Sequence, residues 1–263
     1  MPPFAQRIVM PMLDKTRNPA LFARMKMLFS LLCGFTLTLV PMSAQDAPAI
    51  SGATSNDATN KPDLKTLLAL PGFTNDTGMV LLKISDALWV GVYEVTQKEY
   101  QKIAGGNPSQ FQGGQNPVDN VSWNDAMSFC AQLSEAEKKE KLLPEGFAYN
   151  LPTQAQWEML AAGTELKDAV TSSIVQRTST APVGSLGATG PGIYDIRGNV
   201  WEWCLDPQDK PYRVLRGAAW NSWIEINLRP EFRWYSDGPD QKKNTFGFRC
   251  VLAPKSGAAA ASN

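Results

Sequence analysis

The hydrophobic pattern changes period several times between residues 73 and 254, and each change marks an element. From Val80 to Val95 apolar and polar positions alternate, most clearly in Trp89-Val90-Gly91-Val92-Tyr93, the period of a strand with one buried face. Arg213–Trp220 and Phe246–Leu252 read as further short strands. Three segments switch to helical spacing, each behind its own start signal. Thr96 with Glu99, and Thr153 with Gln156, fit the capping box, in which each side chain satisfies the other residue's free backbone N–H; Ser122 with Asp125 is a looser version. The first helix runs from about Gln97 to Ile103 and stops at Gly105-Gly106. The second places Ala126, Phe129, Cys130 and Leu133 on one face, and the third turns Trp157 and Leu160 inward before ending at Gly163. Loops dominate from Gly163 to Gly192 and from Trp220 to Asn244. Few helices, short strands and much irregular chain predict a single α+β domain without internal repeats.

One stretch, Gly192–Asp206, concentrates the unusual residues. Gly198 and Asn199 signal a tight turn with positive φ. Trp201 and Trp203 then alternate with Glu202, which puts both indoles on one face of a strand. Asp195 and Glu202 flank the turn. Two arrangements fit this spacing. In one, the tryptophans of a hairpin are core and the acids are solvated or paired with arginine. In the other, the two carboxylates converge with freed backbone carbonyls on a hard cation such as calcium.

Composition narrows the chemistry. The 263-residue chain contains no histidine, which removes Ser-His and Cys-His nucleophile pairs and every imidazole metal site. Lys plus Arg equals Asp plus Glu at 25 each, but Arg7, Lys15, Arg17, Arg24 and Lys26 crowd residues 1–44 with Asp14 as their only acid. Subtracting those five bases and one acid from 25 of each leaves 20 basic and 24 acidic residues, net −4, without the electrostatic footprint of a nucleic-acid binder.

Arg24 and Lys26 precede the apolar run Met27–Val40, which exits through Pro41-Met42-Ser43-Ala44. A basic start, an apolar core and a small residue at the exit predict a secretory signal over 1–44, with Met25 or Met27 as alternative starts. The run is shorter than the ~20 apolar residues of a membrane span, so the mature chain is expected to cross no membrane and to reach a periplasmic or extracellular space. Residues 45–72 form a polar linker, 73–254 the folded unit, and 255–263 a small-residue tail.

Within that unit several segments match one pattern together: Tyr93-Glu94-Val95-Thr96, Asn107-Pro108-Ser109, Pro117-Val118-Asp119-Asn120-Val121-Ser122-Trp123, Leu151-Pro152-Thr153, Gly198-Asn199-Val200-Trp201-Glu202-Trp203, Leu215-Arg216-Gly217 and Gly247-Phe248-Arg249-Cys250. In this order they resemble the formylglycine-generating, or sulfatase-modifying factor, domains over roughly Met79–Leu252. The resemblance implies a loop-rich variant of the C-type lectin fold. It also implies a structural calcium held by Asp195, the carbonyls of Gly198 and Val200, and Glu202. It implies a disulfide between Cys130 and Cys250, against which stand two buried free thiols. Cys204 is left over, as a thiol beside Trp203.

The enzymes of the family oxidise a substrate cysteine with copper bound by two cysteines in the segment after the Arg-Gly motif. Here the first matches Ser222 and the second falls near Asn227, and no cysteine lies between Cys204 and Cys250. A serine hydroxyl is too hard to replace a thiolate on cuprous copper, so copper is not expected. The sulfoxide synthases of the same family use histidine-bound iron, and this chain has no histidine. The resemblance therefore points to an exported, non-catalytic domain that binds a protein or glycan, an exported enzyme client among the possible partners. Two alternatives remain: formylglycine-generating oxidoreductase activity, or a different enzyme on the same scaffold using carboxylates, Tyr or Cys204. Trp220, Asn221, Ser222, Arg229 and Arg233 are the groove candidates; the arginines, with Arg249, equally fit pairing with Asp119, Glu202 or Glu231.

Overall fold

The computed structural model describes residues 71–255, apart from 166, 168, 174–175, 189–191, 208–211 and 237. The predicted signal segment, nearly all of the linker and the tail lie outside the described residues. The first strand, β1 (Gly72–Thr74), is followed by β2 (Val80–Ser85) and β3 (Leu88–Gly91). Helices α1 (Gln97–Ala104) and α2 (Trp123–Lys139) come next, then β4 (Phe147–Asn150) and α3 (Gln154–Ala161). The C-terminal half contributes β5 (Trp201–Pro207), β6 (Arg213–Arg216), a 3-10 turn (Glu225–Leu228), β7 (Trp234–Ser236), β8 (Phe246–Gly247) and β9 (Val251–Pro254).

All three capping boxes form. Thr96 N–H donates to Glu99 at 2.8 Å while Glu99 N–H donates to Thr96 Oγ1 at 3.3 Å. The Ser122–Asp125 and Thr153–Gln156 pairs repeat this geometry. Caps are legible because they act within four residues. α1 ends on Gly105 in the left-handed region, and α2 buries the expected Ala126, Phe129, Cys130 and Leu133.

The strands make two sheets, β1-β2-β3-β9-β4 and β7-β6-β5-β8. Residues 246–252 were expected to be one strand, but they divide. β8 runs parallel to β5, whereas β9 joins β3 and β4 in the other sheet. The segment thus crosses from sheet to sheet, with Phe248 and Cys250 in the core between. β6 likewise stops at Arg216, because Gly217 (φ 94°) and Ala218 (φ 71°) bend the chain away. β7 falls in a stretch whose sequence pattern predicts loop. Its three residues carry no alternation of their own and are strand only through pairing with β6.

Trp201 and Trp203 both enter the main core, as their spacing predicts. Their strand, β5, forms an antiparallel hairpin with the next strand, β6, and pairs in parallel with β8; the Gly198-Asn199 turn precedes this hairpin and docks on Val170. Gly198 has φ 96°, and a Cβ there would sit 2.4 Å from the Val170 carbonyl oxygen. Only glycine meets both constraints.

Candidate functional site

Two regions carry the residues singled out above, and they are built differently. The first is the turn before β5. Asn199 (φ 55°) buries its amide completely, accepting from Ala181 N–H at 3.0 Å and donating to Glu94 Oε2 at 2.8 Å. Val200 N–H donates to the other Glu94 oxygen at 3.1 Å. Burial, then the nearby Asp195 and Glu202, push the Glu94 carboxyl well above the usual range.

Glu202 and Arg249 are both fully buried and form an ion pair, with Nη2 2.8 Å from Oε1. Arg249 Nε reaches both carboxylate oxygens at 3.2 and 3.3 Å, and the Trp157 indole donates to Oε2 at 3.0 Å. The guanidinium also donates to the carbonyls of Gly91 and Tyr194, so one side chain ties β3, the turn and β5 together. Burial lowers the Arg249 pKa, but the Glu202 charge and hydrogen bonds more than offset it, and the net shift is upward. Of the arginine pairings left open by the sequence, the structure selects Glu202.

That pairing alters the expected calcium set. Glu202 has both oxygens engaged by protein donors. Asp195, 3% exposed, accepts from Gly184 N–H at 2.5 Å through Oδ2, while Oδ1 is buried without a hydrogen-bond partner. Among the described residues no hydrogen bond goes to the carbonyl of Gly198 or Val200. Three of the four expected ligands therefore keep an open oxygen, a hard donor set that fits calcium, and the fourth is shared with an arginine. Among the described residues no group of three or more Asp, Glu or Cys side chains converges on one point. The Cys130 and Cys250 sulfurs touch at 3.7 Å as buried free thiols. Cys204 is a third buried free thiol, its pKa pushed well up by burial, which leaves little thiolate for nucleophilic work.

The second region is a surface groove of about 250 Å³. Trp201 of β5, Phe246 of β8 and Trp234 of β7 line it. Asn221 and Ser222, both expected, line it, and so does Asn227. Three further expected residues lie outside the lining. Trp220 is committed elsewhere: it packs edge-on against Phe111 at 5.2 Å and donates to the Asn244 carbonyl. Arg233 is held on α3 by Glu158 and Gln154, at 2.8 and 2.9 Å. Arg229 is exposed beyond the 3-10 turn, outside the lining. Sequence reasoning missed Trp223, Ile224, Trp234 and Lys243, which also line the groove. Trp223 is 73% exposed, an available signal, since a tryptophan among Asn, Ser, Ile and Glu in a loop has no core periodicity.

The buried turn positions the open groove. Trp220 N–H donates to the Asn199 carbonyl at 2.9 Å, fixing the start of the groove loop. Arg197 Nε donates to the Leu228 carbonyl at 2.6 Å, anchoring the end of the 3-10 turn from behind. Among the described residues of the groove lining no side chain is a thiol or a carboxylate. Its donor set is wrong for copper: where two soft thiolates are needed, the groove presents a hydroxyl and an amide.

A mixed two-sheet scaffold displaying a loop-built groove is the architecture of a lectin-like domain. The family described as Sulfatase-modifying factor enzyme 1-like domain matches residues 73–254, and the chain belongs to it. Chaperone protein LppX of Paenibacillus barcinonensis is 30% identical over 58% of this chain and 77% of its own. Inactive C-alpha-formylglycine-generating enzyme 2 of Bos taurus is 29% identical over 51% of this chain, which spans 50% of that protein. Among solved structures, Treponema denticola variable protein 1 shares the fold with a TM-score of 0.56 and 23% identity, covering 70% of this chain and 94% of its own. Among the described residues no helix is long and apolar enough to cross a membrane.

Proposed function

We propose that the chain is an exported, non-catalytic binding domain, periplasmic or extracellular, that holds a protein or glycan partner in the groove. One observation carries this reading. The positions that match the family's two copper cysteines, Ser222 and Asn227, line one groove together, and neither is a soft ligand. The place where the chemistry would occur is retained, and the ligands for it are not. The similarity to a protein named as a chaperone, and to one named as an inactive enzyme, supports the same reading. Calcium would be held at Asp195 and the carbonyls of Gly198 and Val200, balancing buried carboxylates that outnumber the single Arg249. In an oxidising space the touching thiols of Cys130 and Cys250 would close to a disulfide; peptide mapping under non-reducing conditions should join them, and free thiols at both positions would refute it.

The function is tested by incubating the purified chain with copper and a cysteine-containing sulfatase peptide. No formylglycine is expected by mass spectrometry, and its formation overturns the reading. Restoring both ligands with Ser222→Cys and Asn227→Cys should create a cuprous-copper site that the parent lacks, measured by competition with a chromogenic chelator. Equal copper affinity in parent and variant would show that the two positions do not face one another.

A further inference from the structure

The groove's side chains specify a ligand more closely than its position in the fold does. Lys243 stands 5.6 Å from the Trp234 ring and 5.1 Å from the Phe246 ring, so two aromatic faces hold its ammonium at the groove wall. Its neighbour Lys242 is neutralised by Asp125 at 2.7 Å, whereas Lys243 makes no ion pair among the described residues. Among the described residues of the lining it is also the sole charged one. A groove whose described lining carries one cation and no acid favours an anion.

The remaining polar groups are amides and hydroxyls. Asn221 and Asn227 each offer a donor and an acceptor, which matches a sugar hydroxyl, itself both donor and acceptor. The Ser222 hydroxyl accepts from Ala219 N–H at 3.0 Å, which leaves its proton to donate. Indole faces carry negative charge density and attract the C–H face of a pyranose ring. Trp201 and Trp234, with centroids 5.7 Å apart, meet at the base, and Trp223 projects at the rim. About 250 Å³ is below the size of a drug pocket and suits roughly one ring, with the next sugar leaning on Trp223. An extended peptide would instead draw affinity from main-chain pairing along a strand edge, and β7 provides only three residues of edge.

We propose that the groove binds a carboxylate-bearing saccharide, a uronic acid residue within a glycan, with the carboxylate on Lys243 and the ring on the tryptophans. This rests on the binding reading above and narrows it. Titrating the full chain with tri-galacturonate should give a saturable change in tryptophan fluorescence. The affinity should exceed that for neutral maltotriose by about tenfold or more, roughly the worth of one desolvated charge contact. Lys243→Met should erase that preference, and Trp223→Ala should weaken both sugars, with melting temperatures unchanged. A response to maltotriose as strong as to tri-galacturonate overturns the proposal, as does no saturable response or a preference surviving in Lys243→Met. Tighter binding of an acetylated acidic tripeptide, lost in Trp223→Ala, overturns the saccharide while leaving a binding groove in place. The formylglycine assay reads the non-catalytic assignment independently of every one of these outcomes.

Discussion

The turn before β5 and the groove beside it lie within a few residues of one another, yet opposite physics governs them. The turn is dry. Glu94, Asp195, Asn199, Glu202 and Arg249 are all buried, and nearly every polar atom is assigned to a protein partner. Removing such a partner strands a charge or a dipole away from water, so substitutions in the turn are expected to be costly. The groove is wet and aromatic. Trp223 and Ile224 of its lining, and Ile226 beside them in sequence, are exposed. Apolar surface left in water contributes nothing to folding, so its presence calls for a reason outside folding. The contrast teaches that in this domain the buried signature residues hold the scaffold, while the groove lining is supplied largely by residues outside the signature.

Four measurements would break or sharpen that contrast. The largest effect is expected from Glu202→Ala, which leaves the Arg249 guanidinium buried and unpaired; it should lose about 3–5 kcal/mol in chemical denaturation. A loss below about 1 kcal/mol would mean that water reaches the pair and that the turn is not dry. Gly198→Ala should follow at about 1–3 kcal/mol or more, because it adds a methyl at positive φ against the Val170 carbonyl. Restored stability in a background that shortens the 170 region would confirm the contact; a neutral variant would refute it.

The third concerns pH. Burial, opposed by the Gly184 hydrogen bond and Arg249, raises the Asp195 carboxyl to about 6 from 3.8. The folded chain therefore binds this proton more tightly than the unfolded one. The resulting stability is complete below about pH 3.8 and is lost as pH rises through about 6. In chelator, the parent should lose about 2–3 kcal/mol across this window relative to Asp195→Asn. Asp119, also raised to about 6 by burial, contributes equally to both and cancels in the comparison. Calcium should recover the loss at pH 7.5 in the parent alone; identical curves with and without calcium would remove the ion from the turn. The smallest effect belongs to the groove. Trp223→Ala should change stability by less than about 0.5 kcal/mol. A larger loss would make Trp223 a packing residue and weaken the contrast.

How much of this was legible depended on distance along the chain. The capping boxes were readable because donor and acceptor sit three residues apart, and the turn because Gly198 and Asn199 favour positive φ by themselves. The resemblance motifs made the fold class readable as well. The Arg249–Glu202 pair was readable only as one option among three, since 47 residues separate the partners and any buried acid would have satisfied the arginine. Trp220, Arg229 and Arg233, expected in the groove, lie outside its lining. The 3-10 turn carries the chain past the groove, and Glu158 on α3 captures Arg233.

The sequence by itself determined the helix starts, the positive-φ turn, the inward tryptophans of β5 and the lack of any cysteine between Cys204 and Cys250. Each of these is a property of residue type or short-range geometry. The tertiary structure alone decided that Arg249 answers Glu202, that residues 246–252 divide between two sheets, and that Trp234 and Lys243 come to face Ser222 and Asn227. Those outcomes depend on which segments meet across the core. Burial sets the cost of an unpaired charge and the reach of a side chain, and neither is expressed until the chain has closed around them.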